Sequence, residues 1–504
     1  MAKRATTFEL ALPAKDSAAP AYRWLYASLR SAILEGRLHP ASRLPATRDL
    51  ARQYRLSRGT IVNAIEQLKS EGYVQARTGS GTYVSSTLPD ELLQIARGSQ
   101  PLQPPQEKTK PRRISGYAAR VSLFPNFAPH RTRAFRPNLP ALDLFPTTLW
   151  AQVAARRLRK VATNFLLGCD ALGYLPLRQA VADYLSTSRG VNCVAEQVVI
   201  VSGAQEALDL VTRLLVNPGD RVCMENPGYI GATAVFRSLG AKISYVPLDQ
   251  EGMKLGEATL RNARLVYVTP GHQFPLGITM SLPRRLQLLE SARKSGTLIL
   301  EDDYDSEYRY SGRPVPALQG LDCHGQVLFM GSFSKVLFPS LRLGYLVLPS
   351  DLTDRFAATL SITRRHAPLM DQAILSDFIT AGHFGRHLRR MRQIYAERLS
   401  VLLHSAKRNL AGLLEISGVE AGLQTVGWLQ RGTNGESAAA AAAQRSVEVI
   451  PLSVYSHGNV ASTGLQLGFA AVDSKEIRRG VQDLAIALEA ARKSPDGRVK
   501  QNSL

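Results

Sequence analysis

The sequence predicts an α/β chain in two unequal parts. A short helical unit with a β-ribbon comes first, then a mainly parallel sheet wrapped by helices that closes in a smaller α+β piece. Three observations predict this. Residues 19–86 carry three short stretches of helical apolar spacing and a glycine-tipped hairpin. Residues 87–115 break the pattern with proline and basic residues. From 116 to 495, short apolar β-rich runs alternate with helical ones, and long helices take over after about 350. A chain of 504 residues also exceeds one ordinary domain.

Composition narrows the classes. Hydrophobic residues make up 45% and charged ones 20%, which excludes wholesale disorder. Lys and Arg number 62 against 41 Asp and Glu, a net charge of +21. A chain this basic usually meets a polyanion, nucleic acid first among them. No run of ~18 apolar residues exists, so no membrane span is expected. Met1–Lys15 holds no apolar block followed by a cleavage site, so no secretory leader is expected either. Cys169, Cys193, Cys223 and Cys323 are scattered without a CxxC, and read as reduced thiols of a cytoplasmic protein.

In the first unit, Tyr22–Glu35 places Leu25, Leu29, Ile33 and Leu34 at helical spacing, and His39-Pro40 ends it. A second helix is expected over Ala46–Tyr54 after Pro45. A third spans Ser57–Ser70, with Ser57 as N-cap. Gly72-Tyr73-Val74 opens a hairpin whose tip is Gly79-Ser80-Gly81, closed by Thr82-Tyr83-Val84. Three helices and a ribbon make a winged helix-turn-helix. The start of its third helix, Ser57-Arg58-Gly59-Thr60, is the part that enters a major groove. Arg58 can grip a guanine edge or a phosphate, and Ser57 and Thr60 can donate to phosphate. Arg43 lies just before the second helix and Arg48 on it, where the DNA backbone passes. The wing tip Arg77-Thr78-Gly79-Ser80-Gly81 is small and carries one cation, which suits a narrow groove. Each arginine alone reads as a solubilising charge; together on one such fold they point to double-stranded DNA.

The stretch Arg43-Leu44-Pro45-Ala46-Thr47-Arg48, with Ser57-Arg58, Gly72-Tyr73 and Gly79 to Val84, resembles the GntR-type winged-helix regulators. Ala41 departs from that pattern, where the family usually has glycine after the proline.

The linker holds Pro101, Pro104, Pro105 and Pro111 among Lys108, Lys110, Arg112 and Arg113. It reads as a semi-extended tether of up to ~100 Å. Its basic run is a solvated tether or a strip that brushes DNA phosphates. Beyond it, strands are expected at Gln197–Ser202, Arg221–Glu225, Ile243–Pro247, Leu265–Thr269, Thr297–Glu301 and Val327–Gly331. They lack polar alternation, as strands covered on both faces do. Leu375–Ser405 and the alanine run Ala438–Ala443 read as helix, and Leu465–Phe469 as a last strand.

Four signals in the large part converge on one chemistry. Gly331-Ser332-Phe333-Ser334-Lys335 presents a lysine that burial makes neutral enough to attack an aldehyde, with hydroxyls for a phosphate and Arg342 seven residues on. Lysine alone would read as a surface charge. Glu301-Asp302-Asp303-Tyr304-Asp305 is either a divalent-metal cluster or a strand end. On a strand, Asp302 and Tyr304 share a face, suited to a pyridinium nitrogen and its neighbouring oxygen. Ser202-Gly203-Ala204-Gln205 ends a strand and opens a helix, as a capping box, a phosphate cradle or both at once. Asn226-Pro227-Gly228-Tyr229 is a turn, or a turn whose Tyr229 stacks on the cofactor ring.

In this order and spacing, residues 135 to 490 resemble fold-type I aminotransferases. With the GntR-like start, the chain resembles the MocR/GabR class of regulators over nearly its whole length. Phe145-Pro146, Gly173-Tyr174, His272-Gln273-Phe274-Pro275 and Pro451-Leu452-Ser453 add to that resemblance. It implies pyridoxal 5′-phosphate (PLP) as cofactor, with Lys335 as the Schiff-base lysine, Asp302 at the ring nitrogen and Tyr304 at the ring hydroxyl. Ala204, Gln205, Ser332, Ser334 and Arg342 would surround the phosphate. It also implies a homodimer. Two departures stand out. Phe274 occupies the place of the asparagine that usually meets the ring oxygen. Gln466, in Gly464-Leu465-Gln466-Leu467-Gly468-Phe469, replaces the arginine that usually clamps a substrate carboxylate, and glutamine offers no charge.

Three functions follow from this reading. The first is a PLP-binding regulator of transcription that senses PLP or a small amine or amino acid. The second is a working aminotransferase with a DNA-binding appendage. The third is a regulator whose large domain is only a dimerisation scaffold. Gln466 speaks against the second, and the intact Lys335, Asp302, Tyr304 and Arg342 speak against the third.

Overall fold

Helical spacing in the first unit becomes three helices: α1 (Ala21–Leu34), α2 (Thr47–Tyr54) and α3 (Arg58–Ser70). The computed structural model describes residues 12, 20–77, 81–88, 112–124, 132–312, 315–416, 418–458 and 463–493. The chain divides into two units, Met1–Arg113 and Ile114–Leu504.

The head closes around Leu25, Leu29, Ile33, Leu50, Ile61, Ile65 and Leu68, all buried. Leu34, expected on the same stripe, is instead 39% exposed, because one helical step turns it ~100° from Ile33. Ser57 caps α3 as expected, its Oγ accepting from the Thr60 N–H at 3.1 Å. The ribbon pairs β1 (Val74–Arg77) with β2 (Gly81–Val84) antiparallel, Val74 opposite Val84. Ala41 has a φ of 60°, in the left-handed region where a glycine sits without a Cβ penalty.

The large unit is built on an eight-stranded sheet. Its strands are β3 (Val198–Val201), β4 (Arg221–Asn226), β5 (Lys242–Asp249), β6 (Gly252–Met253), β7 (Ala263–Val268), β8 (Leu298–Asp303), β9 (Val327–Ser332) and β10 (Gly344–Val347). The order is β3-β10-β9-β8-β7-β4-β5-β6. Strands β5, β4, β7, β8 and β9 run parallel, as the apolar runs predict. β10 runs antiparallel to both β9 and β3. The sequence reading did not place this strand, because Gly344 to Val347 is too short and continuous to stand out from the motif before it. Helices cover both faces, and the sheet separates apolar cores on its two sides, Val198, Ile200 and Phe329 packing into one, Val199, Val201, Leu300 and Leu328 into another. That split within one strand is the alternation of a strand buried on both sides.

A second sheet, β11 (Leu414–Ile416), β12 (Gln424–Leu429), β13 (Ile450–Pro451) and β14 (Gly464–Gly468), is antiparallel in the order β11-β12-β14-β13. Ala134 and Phe135 bridge to Val447 and Gly468, so both ends of the large unit feed this smaller layer. The helical run expected over Leu375–Ser405 is two helices, Leu369–Thr380 and His383–Asn409, turned at Gly382. Alanines 438–443 lie within the helix Gly435–Gln444. Among the described residues, no helix is long and apolar enough to cross a membrane.

Candidate cofactor site and nucleic-acid interface

The reversal of β10 assembles the site. Register sets Gly344 opposite both Ser332 at the end of β9 and Val201 at the end of β3. The turn between β9 and β10, which carries Lys335 and Arg342, therefore opens at the same sheet edge as the turn after β3. There Gly203, with φ 96°, leads into the helix Ala204–Leu215. A Cβ added at Gly203 would lie 3.6 Å from the Arg342 guanidinium. The free N–H groups of a helix start thus stand beside an arginine, an arrangement that favours an anion.

The capping box expected between Ser202 and Gln205 does not form. Gly203 is the N-cap, and the Ser202 backbone N–H donates to Glu206, which Arg364 also pairs. The Gln205 side chain is left to donate to the Gly231 carbonyl, while its Oε1 is buried without a partner. Ser334 Oγ is likewise buried without a partner, and the Ser334 N–H donates to Ser332 Oγ at 3.2 Å. Arg342 is exposed in the single chain.

These elements open onto a cavity of about 360 Å³. Of the sequence-predicted residues, Ala204, Tyr229, Asp302, Tyr304, Ser332 and Lys335 line it, and Gln205, Ser334 and Arg342 do not. Asp302 and Tyr304 face the cavity together, as strand alternation predicts. The other carboxylates of that stretch have separate partners: Glu301 accepts from the N–H groups of Leu318 and Gln319, Asp303 pairs with Arg189, and Asp305 meets His272. They form no common cluster.

Asp302 is 5% exposed. Burial pushes its carboxyl up to about 7, against the opposing pull of a hydrogen bond from Tyr267 and the nearby Lys335. Its Oδ2 accepts from Tyr267 Oη at 2.6 Å, while Oδ1 is buried without a partner. Lys335 Nζ donates to the Asn138 carbonyl at 2.8 Å. Burial lowers its ammonium to about 8, opposed by Asp305 and Asp302. A fraction of the amine is therefore unprotonated near neutral pH, the form that attacks an aldehyde.

Tyr229 and Phe274 meet edge to face at 5.6 Å in the cavity wall. Phe274 also packs against Tyr304 and Tyr455. The Tyr304 hydroxyl lies 3.1 Å from His272 Nδ1. Gln466 is fully buried behind this wall, its Oε1 accepting from Tyr455 Oη at 2.7 Å. An arginine does line the cavity, but it is Arg136, paired with Glu448 at 3.7 Å.

Sequence reasoning missed Tyr267, Asn138 and Arg136. Tyr267 lay on an expected strand. Its register opposite Leu300 puts it on the same face as Asp302, but that needs the knowledge that β7 and β8 are neighbours.

In the head, Arg43, Arg48, Ser57, Arg58 and Arg77 are exposed and Thr60 half-buried. The Ser57 and Thr60 hydroxyls lie 2.8 Å apart, so the cap engages both. Arg77 stacks over the Tyr83 ring at 4.9 Å. Arg43 bridges to Tyr83, and its guanidinium lies so close to Gly81 that a Cβ there would come within 2.8 Å. The wing is thus braced by two arginines. Gly79 and Ser80 lie outside the described residues, as does most of the linker.

This fold and cavity define an aminotransferase-like domain joined to a winged helix-turn-helix. Residues 142–484 match the family model "Aminotransferase class I and II", and residues 21–84 match "Bacterial regulatory proteins, gntR family". The chain belongs to the aminotransferase class I and II family and carries a gntR-family head, the joint architecture of the MocR-type regulators. It is 39% identical over 492 residues to the probable rhizopine catabolism regulatory protein MocR of Rhizobium meliloti, covering 95% of this chain and 96% of that one. It is 28% identical to the HTH-type pyridoxine biosynthesis transcriptional regulator PdxR of Corynebacterium glutamicum, over 91% of this chain and 94% of that one. Among solved structures, LysN, the α-aminoadipate aminotransferase of Thermus thermophilus complexed with N-(5'-phosphopyridoxyl)-L-leucine, matches with a TM-score of 0.66. Its identity is 30%, and the match covers 71% of this chain and 92% of that one.

Proposed function

We propose that this chain is a cytoplasmic, PLP-binding transcriptional regulator whose large domain, residues 116–495, senses PLP or a small amine or amino acid. Its head, residues 19–86, reads an operator through a tether at 87–115. One observation carries this: a partly buried lysine of lowered basicity and a buried carboxylate with a bare oxygen line one cavity, in a chain with a gntR-family head.

The residues fit the cofactor. Oδ1 of Asp302 lacks a donor, as a carboxylate awaiting a ring N–H would. Ser334 Oγ is a donor left unpaired in the turn beside Arg342, as a phosphate cradle needs. When bound, PLP supplies an aldehyde and an electron-withdrawing ring. Lys335 supplies the amine, and the Asn138 carbonyl orients it. Asp302, oriented by Tyr267, would hold a proton at the ring nitrogen. Tyr304 would carry the ring-oxygen contact, since Phe274 has nothing to donate. Tyr229 would cover the ring, and Ala204 and Ser332 in the cavity wall, with Gln205, Ser334 and Arg342 from the adjoining turns, would receive the phosphate. In the head, Arg58 reads a base edge, and Arg43, Arg48, Ser57, Thr60, Arg77 and the wing tip Gly79-Ser80-Gly81 hold the backbone.

Exposed Leu166, Leu167 and Ile362, at 70%, 83% and 86%, are apolar side chains that a homodimer would cover. Gln466 favours sensing over turnover: it brings no charge, and the arginine in the cavity is already tied to Glu448. The deciding experiment is borohydride reduction of the PLP-treated protein followed by peptide mapping. Label on the Lys335 peptide supports the proposal, and its absence removes the sensor half. A turnover assay over a panel of amino donors separates regulator from enzyme.

A further inference from the structure

A second cavity, of about 550 Å³, lies between the end of β5, the turn 272–279 and β12 of the smaller sheet. It shares no lining residue with the first. His272 stands between the two. Its ring lines the second cavity and is 3% exposed, and its Nε2 has no hydrogen-bond partner. Its Nδ1 lies 2.9 Å from Asp305 Oδ1 and 3.1 Å from the hydroxyl of Tyr304, which lines the first cavity. Asp305 Oδ2 also accepts from the Leu423 N–H at 3.1 Å, so its carboxylate acts as an acceptor and the imidazole proton sits on Nδ1. With that proton on Nδ1, Nε2 is left as the ring's acceptor. A Cβ placed on Gly277, which lines the same cavity, would lie 3.1 Å from it. A buried polar atom without a partner is uncommon and calls for an explanation.

The rest of the lining says what that partner carries. Leu248, Leu276, Ile278 and Val426 form an apolar wall, with Trp428, 37% exposed, beside them. Asp249 and Glu420 supply carboxylates, each with an arginine partner, Arg284 and Arg309, that does not itself line the cavity. Among the described residues, the lining offers two carboxylates and no lysine or arginine, which favours a cation over an anion. Acceptors, an indole and an apolar wall suit a protonated amine on a short apolar body.

We infer that this second cavity is a separate binding site for a small organic amine, held by His272 Nε2 and linked to the first cavity through Tyr304. A second link runs beside it. Gln424, also in the lining, accepts from the Asn138 N–H at 2.9 Å, and the Asn138 carbonyl holds Lys335. A ligand on Nε2 fixes the imidazole that the Tyr304 phenol leans on. Occupancy of one cavity is thereby felt in the other.

The test uses N,N-dimethylbutylamine, a tertiary amine that cannot condense with an aldehyde, so any binding is separate from chemistry at Lys335. Calorimetry on the full PLP-treated chain should show saturable binding at one site, and the visible cofactor absorbance should shift as that site fills. Gly418→Trp adds an indole at a lining position where a Cβ meets nothing within 4 Å. It should weaken binding at least ~10-fold and keep the cofactor absorbance. His272→Phe should weaken binding likewise by removing the acceptor, and should itself move the cofactor absorbance because Tyr304 loses the imidazole beside it; if that variant fails to fold, Gly418→Trp carries the test alone. No saturable heat at millimolar amine, unchanged affinity in Gly418→Trp, or equal affinity for butyrate would each overturn the inference. A chain that binds the amine but takes up no PLP would leave this site standing and remove the proposed sensor chemistry instead.

Discussion

The head and the cofactor cavity carry their chemistry in opposite ways. In the head the candidate groups are exposed: Arg43, Arg48, Arg58 and Arg77 stand in water on a small apolar core. Arg48 and Arg58, unlike the wing-bracing Arg43 and Arg77, can change with little effect on folding. In the cavity the groups are buried among β-strands, and burial itself sets their state. It lowers Lys335 to about 8 and raises Asp302 to about 7. An exposed site gains affinity from the number of its charges, whereas a buried one depends on a few groups whose partners are fixed. Substitutions in the two should therefore fail differently.

The largest expected effect is Lys335→Ala. It should abolish covalent cofactor capture and visible absorbance while the head still binds the operator, no longer responding to PLP; a persisting band means another lysine holds the aldehyde. Next is Arg58→Ala, expected to weaken operator binding by about 1–3 kcal/mol with unchanged cofactor absorbance. Loss of both readouts would point to misfolding and break the contrast. Binding by the intact head should also fall steeply with salt, as phosphate contacts require.

Tyr267→Phe should act at a distance from the aldehyde. It removes the donor at 2.6 Å from Asp302, so cofactor affinity should drop several-fold, about 1 kcal/mol, with a displaced absorbance maximum. An unchanged spectrum would show that Asp302 needs no second partner. The pH dependence sharpens the same point. Neutral Lys335 is the reactive form, and it grows as pH rises through its lowered value. The rate of PLP capture should therefore climb up to about pH 8 and level above it; a climb continuing towards the ordinary lysine range would mean that burial does not act on this amine.

The smallest effect is in the head. Ala41→Gly relieves a left-handed alanine at φ 60° and should raise stability by up to ~1 kcal/mol, read as a higher unfolding temperature with operator affinity unchanged.

Legibility followed the same divide. The helices of the head and the parallel strands showed in apolar spacing, because burial periodicity is local. Asp302 and Tyr304 were paired by alternation along one strand, and both sit in the cavity wall. The contributions of Tyr267, Asn138 and Arg136 depend on which strands and loops become neighbours, and no local spacing encodes that. The capping box at Ser202 was a false local match: Glu206, one residue further on, captured the serine N–H because Arg364 holds it there. Gln466 was rightly singled out as lacking charge, but its place behind Tyr455, with Arg136 as the cavity's arginine, came only from the antiparallel small sheet.

Strand β10 has a last consequence. Because it doubles back on β9, the amine of Lys335 and the guanidinium of Arg342 hang from a single hairpin turn. A parallel β10 would have carried Arg342 to the far edge, roughly 13 Å away for four residues. Transient opening of that one hairpin would thus displace the Lys335 amine and the anion-binding guanidinium of Arg342 together. Amide exchange across 327–347 should slow as a block when PLP is added, with no residue of the turn protected ahead of the rest.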